Sequence, residues 1–148
     1  MKRTRTLPIG MLVVCFMVLT MVIRVENTLA APANGTVVEG GLAWLQNANC
    51  FGPQTWAQAM SSVAGLQSGR CGLTDDSKAG DWRLPTKLEL MSRKLRQQGF
   101  NNVQDNGYWT SNSDGGNAGN AWIVSMYDGL HSESKTNTWF VWPVRRSY

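Results

Sequence analysis

Six basic residues carry the most evident chemistry in this chain. Lys87, Arg93, Lys94 and Arg96 fall within one predicted helix, and Arg145 and Arg146 stand near the end of the sequence. A guanidinium grips a sulfate or carboxylate bidentately, and an ammonium acts on it as a point charge. The set therefore suits retention of a sulfated or otherwise anionic polysaccharide. A run of charge can equally do no more than solvate a helix face, and that alternative stands beside the first. At about 100° per residue, Lys87 and Lys94 share one stripe of the helix, while Arg93 and Arg96 lie across from Leu88 and Leu95.

Catalytic chemistry is poorly supplied. His131 is the single histidine, set in a polar stretch with Ser132, Glu133 and Ser134. No strand–turn–helix pattern of a nucleophile surrounds it, and no pair of carboxylates is marked out for glycoside hydrolysis. The expectation is a non-enzymatic chain without a cofactor. Asp105, Asn106, Asp114 and Asn117 supply the oxygen ligands calcium prefers, but their spacing fits no EF-hand, so calcium is a minor alternative and no metal ligand is assigned.

The first 30 residues differ from the rest. Lys2, Arg3 and Arg5 lead into an uncharged apolar run from Ile9 to Ile23, followed by Thr28, Leu29, Ala30 and Ala31. This is the anatomy of a secretory signal over 1–30, cut after Ala30. The competing reading is an uncleaved anchor, the one route to a membrane that the sequence offers. Its apolar run is shorter than the ~20 residues a span needs. Four of the 14 basic residues and one of the 10 acidic ones lie in this leader, so the remaining chain holds 10 and 9 and is close to neutral. The basic balance of the whole chain, +4, thus reflects export and does not call for a nucleic-acid partner. Cys15 lies in the leader. Cys50 and Cys71 remain, and in an oxidising compartment they are expected to bridge. One histidine is too few for the alternative, a zinc site.

The elements that must position these residues follow from local patterns. Thr36 to Trp44 reads as two strand pieces meeting at Gly40 and Gly41, after a loose start from Ala31 to Gly35, with 31–39 set apart as an N-terminal segment. Apolar residues at intervals of three and four predict a helix over 53–67, with Pro53 in its first turn. A polar loop follows from Gly72 to Gly80. In the stretch GDWRLPTKLEL (Gly80–Leu90), Trp82 and Leu84 suit the core and Pro85 stops the strand. Thr86 and Glu89 form a capping box, and Arg83 turns outward towards Asp81 or Glu89. This stretch reads as a lock on the fold rather than a ligand site. A second helix is predicted over 87–98, with Leu88, Met91 and Leu95 on its inner face and Gly99 as its stop. Tyr108 to Ser111 and Ala121 to Tyr127 read as strands, and Ser111 to Asn120 as a long loop. Asp128-Gly129 reads as a turn, Leu130 to Asn137 as a polar loop, and Thr138 to Arg145 as a final strand limited by Pro143. Strands, two helices, then strands again indicate an α+β domain, two helices on a twisted antiparallel sheet. All seven tryptophans lie beyond the leader. Most are expected to build the core, with one or two free to stack on sugar rings at the surface.

The blocks GLAWLQNANCFGPQTWAQAM, GRCGLTDDSKAGDWRLPTKLEL, YWTS, AWIVSMYDG and FVWPVR, in that order, resemble the Lcl C-terminal domain family. It is named for the terminal domain of a collagen-like surface adhesin. The resemblance spans Gly40 to Arg146, within a domain set at 40–148. It implies a compact fold distantly similar to C-type lectin and formylglycine-generating-enzyme domains. It also implies a secreted, periplasmic or cell-surface location and, as in some members, binding of sulfated glycans. Envelope proteins are the alternative partners. The chain lacks a collagen repeat, so a stalk-driven trimer is not implied. It also lacks the late redox cysteines of the formylglycine-generating enzymes.

Overall fold

The protein is described by a computed structural model over residues 34–94 and 96–148. The expected signal over 1–30 and Leu95 lie outside the described residues. Gly40 and Gly41 both adopt positive φ, 61° and 76°, and fold Thr36–Glu39 (β1) back on Leu42–Leu45 (β2) as a tight hairpin. The first strand therefore belongs to the folded unit, which begins ahead of the expected boundary at Gly40. Val144–Arg146 (β6) returns from the end of the chain to pair antiparallel with β2, giving the order β1-β2-β6.

Trp56–Ala64 forms α1, shorter than the predicted 53–67. Gln54 exchanges backbone hydrogen bonds with Trp139, which commits it to extended backbone and delays the helix. Thr55 then caps it: its side chain accepts from the Gln58 amide, and the Gln58 side chain accepts from the Thr55 amide. Lys87–Lys94 forms α2, with the expected capping box of Thr86 and Glu89 at its start. The inner face of α2 is not the one predicted. Leu90 and Arg93 are buried, whereas Leu88 and Met91 are 74% and 41% exposed. The helix also ends before 98, because the Arg96 amide closes a turn on the Arg93 carbonyl.

The second sheet, in order β3-β4-β5, is built from Gly107–Asp114 (β3), Asn117–Ser125 (β4) and Gly129–Ser134 (β5). Two expected loops are thus strands, and the single expected sheet is two. The polar residues of 111–120 form a projecting hairpin. Its turn is fixed by Asp114 and Asn117, whose side chains accept from the amides of Gly116 and Gly119. The expected final strand is broken as well. Trp139 and Phe140 make isolated bridges to Gln54 and Tyr108 before β6 begins.

The second sheet is packed on both faces. Tyr108 and Val124 join one cluster with Trp44, Trp82, Leu90 and Trp142, while Trp109 and Ile123 join another with Ala59, Val63 and Leu84. Trp142 meets Trp44 and Phe100 edge-on, with ring centroids 5.7 and 4.8 Å apart, and donates its indole N–H to the Leu45 carbonyl. Cys50 and Cys71 form a disulfide, Cα–Cα 5.7 Å, that ties the segment before α1 to the loop after it.

Candidate functional site

The first hairpin and α2 together enclose a cleft of about 460 Å³, lined by Glu39, Leu42, Trp44, Glu89, Arg93 and Arg96 among others. Directly opposed residues of an antiparallel pair share a face. One row of the first sheet therefore runs Glu39, Leu42, Arg146 and the next Trp44, Val144. Arg83 extends the second row, since it bridges Val144 through two 2.9 Å backbone hydrogen bonds. From these rows Glu39, Leu42 and Trp44 form the floor, and α2 forms the wall.

Two ionic latches join floor to wall. At one end, Glu39 receives both Arg93 and Arg96, the latter at 3.0 Å. The hydrogen bond from Arg93, opposed by some desolvation and aided by Arg96, lowers the Glu39 carboxyl from its ordinary 4.5 to about 2. At the other end, Arg83 holds Glu89 bidentately at 2.8 and 2.9 Å, and the Thr86 amide donates to the same carboxylate at 2.7 Å. The Arg83 fork is the main reason the Glu89 carboxyl is held below the ordinary range. Arg96 is largely exposed, with 72% of its side chain accessible. Arg146 is exposed and makes no ion pair among the described residues. Three arginines thus meet two glutamates around the cleft, Arg96 being the most exposed of them, and the unpaired Arg146 stands next to Leu42 on the same sheet face.

Arg93 departs from its expected place on a solvated face. It is 3% exposed, and its guanidinium lies 5.3 and 5.9 Å from the Trp44 and Phe100 ring centroids. Its buried Nε has no hydrogen-bond partner among the described residues. Burial leaves Arg93 as the back wall of the cleft rather than a free contact.

The structure separates the rest of the basic set. Arg145, 9% exposed, points to the opposite sheet face, forks onto Asp75 at 2.9 and 3.1 Å, and lies over Trp82. Asp75 is held below its ordinary range: burial opposes ionisation, but the Ser77 hydroxyl and Arg145 outweigh it. Lys94 donates to the Tyr127 carbonyl, and Lys87 sits 5.1 Å over Trp122. Both therefore serve the other side of α2. Trp82 and Leu84 are buried as expected, and of the two acids weighed for Arg83 the structure selects Glu89. Glu39 was missed. It ends the first strand and precedes two glycines, with no local signal of its two arginine partners.

His131 contacts Asp128 at 2.9 Å, while Ser132 donates to Asp114, so these side chains do not assemble a nucleophile and base. Of the four residues considered for calcium, Asn106, Asp114 and Asn117 accept from neighbouring backbone amides. Among the described residues no group of three or more His, Cys, Asp or Glu side chains could hold a metal. Nor is any helix among them long and apolar enough to cross a membrane.

The model of the Lcl C-terminal domain family matches residues 38–145, from the end of the first strand to the last. No curated protein matches the chain.

Proposed function

Because the chain belongs to the Lcl C-terminal domain family, we propose that it is an exported, non-catalytic recognition domain that binds sulfated or otherwise anionic glycans at the cell surface. The observation that carries this reading is the surplus of arginine at and beside the α2 cleft, with Arg96 exposed in its lining and Arg146 exposed on the strand that pairs with Leu42. Arg side chains pair with sulfate and carboxylate in a fixed fork, and the partly exposed floor residue Leu42 adds apolar surface for a sugar backbone. The Cys50–Cys71 bridge supports an oxidising compartment. The test is an array of sulfated and neutral glycans probed with the disulfide-bonded protein, with and without calcium. Preferential signal on sulfated glycans, independent of calcium, is the expected result. Equal signal on both classes, or none, defeats the proposal.

One observation favours a second reading, a protein-binding module of an envelope assembly. Leu88, Met91 and Tyr127 are 74%, 41% and 80% exposed. Leu88 and Met91, three apart on α2, share one apolar patch. Capture of a defined envelope protein, lost on Leu88→Glu, would support that reading over the first.

A further inference from the structure

On the other side of α2 from the cleft, the helix covers only part of the second sheet. The row Tyr108, Val124, Leu130 lies beneath it, with Tyr108 and Val124 fully buried. The next row pairs Trp122 with Ser132, and the row after that pairs Asn120 with Ser134. The helix begins at Lys87, whose ammonium lies 5.1 Å over the Trp122 ring. Trp122 is consequently left half-buried at the helix start, unlike Trp44, Trp82, Trp109 and Trp142, which are buried.

On the side away from Val124 and Leu130, polar groups adjoin that ring. Ser132 donates to Asp114 at 2.5 Å and accepts from Asn120 at 3.2 Å. The Asn112 carbonyl oxygen accepts from the Lys87 amide at 2.9 Å. These bonds fix the side chains and leave capacity unused: the Asn112 amide donors, the Asn120 carbonyl and the Lys87 ammonium. The Trp122 indole N–H makes no hydrogen bond to the described residues, and it is not among their buried unpaired donors, so it reaches solvent.

From this arrangement we propose a second binding site, beside the start of α2 on the β4 face that the helix only partly covers, that takes the ring of a neutral sugar. A pyranose has one face of C–H groups and a rim of hydroxyls. The Trp122 face, once the flexible Lys87 side chain that lies over it swings aside, offers an apolar, quadrupolar platform for the first. The rim of Asn112, Asn120, Asp114 and Lys87 offers donors and acceptors for the second. Asp114 and Lys87 offset one another in charge, so the site has no bias towards a sulfate or carboxylate, in contrast to the arginine cleft. The two sites lie on opposite sides of one helix, and a single polysaccharide carrying both kinds of residue could engage both.

The test is a titration of the disulfide-bonded protein, its indole nitrogens isotope-labelled, with the methyl glycosides of glucose, galactose and N-acetylglucosamine. The Trp122 indole signal, identified by its loss in Trp122→Phe, should shift saturably with at least one of them. Trp122→Ala should weaken that binding about tenfold or more. Asn120→Ala, which leaves the core untouched, should weaken it by a smaller factor and covers the case in which the Ala variant does not fold. Arg96→Ala should leave it unchanged, which separates this site from the anionic one. A Trp122 signal that moves with none of the three sugars overturns the proposal. So does binding unchanged in Asn120→Ala and Trp122→Ala alike.

Discussion

Glu39 and Arg93, 54 positions apart in the chain, form an ion pair that fastens the first hairpin to the inner face of α2. The pair is lopsided: 4% of the Arg93 side chain is accessible against 32% of Glu39. Removing the arginine also removes the ring contacts with Trp44 and Phe100. Arg93→Ala should therefore destabilise the fold by about 3 kcal/mol or more, the lower end for breaking a buried pair. Chemical denaturation measures it, and a loss under about 1 kcal/mol would show that Arg93 only covers the surface.

The same pair sets an acid limit. The folded Glu39 carboxyl titrates at about 2 against an ordinary 4.5. Its folded pKa is depressed, so the native state binds fewer protons there than the unfolded chain does. Its contribution is fully present above about 4.5 and is lost as pH falls from there through about 2. Glu89 and Asp75, also lowered, act in the same direction. Stability followed by denaturant midpoint should decline over this window. The decline should be shallower in Glu39→Gln, because that site no longer titrates. An identical slope in the variant would mean that other carboxylates carry the effect.

The stretch from Trp82 to Glu89 closes on itself through a single carboxylate. Glu89 accepts from Arg83 and from the Thr86 amide, while the Thr86 hydroxyl accepts from the Glu89 amide. Arg83 is 44% exposed, so its share is screened. Glu89→Ala should cost about 1–2 kcal/mol and Thr86→Ala about 1 kcal/mol, mostly through the lost cap. The double variant should cost less than the sum, because both remove the same capping box. Strict additivity in a double-mutant cycle would contradict the reciprocal geometry.

Local signals made much of this legible. The capping box, the Gly40-Gly41 turn and the Cys50–Cys71 pairing depend on residues whose types state their geometry. What failed to show was anything decided by a distant partner. Arg93 reads as a solvated helix residue until Glu39 and the rings of Trp44 and Phe100 are beside it. Trading Leu88 and Met91 for Leu90 and Arg93 on the inner face of α2 follows from that same pairing. The β3-β4 hairpin was hidden for another reason. Its Asn, Ser and Gly residues resemble a loop because most of their side chains face solvent, and strand formation there rests on backbone pairing and on polar side-chain bonds such as those of Asp114 and Asn117. Likewise β5, all of whose residues are half-buried, shows no apolar alternation.

Gly35 was read as part of a loose start, yet it lies at φ +78°, where an added Cβ would sit 2.4 Å from the Gly72 carbonyl oxygen. That contact seats the chain just ahead of β1 against the loop next to Cys71. Gly35→Ala should destabilise by about 2 kcal/mol or more through strain and clash together. Gly115→Ala, with nothing within 4 Å of the new Cβ, serves as the comparison. It should stay within about 0.5 kcal/mol of the parent. Equal melting temperatures for the two variants would show that the Gly35 backbone is free to move.

Arg96, in the lining of the α2 cleft, and Arg146, paired with Leu42 in the adjoining sheet, are exposed cations that the core does not need. Arg96 gives up only a solvent-screened share of the Glu39 latch, since Arg93 retains the rest. The double variant Arg96→Ala with Arg146→Ala should keep its denaturation midpoint, because exposed pairs contribute about 0–1 kcal/mol. On a sulfated-polysaccharide column it should elute at markedly lower salt, since each lost arginine removes a bidentate contact and its counterion release. Lys94→Ala, on the far side of α2 and engaged with the Tyr127 carbonyl, should elute close to the parent. If Lys94→Ala shifts elution as far as the double variant does, retention follows total charge and not the cleft. If the double variant elutes with the parent, these arginines do not form the binding surface.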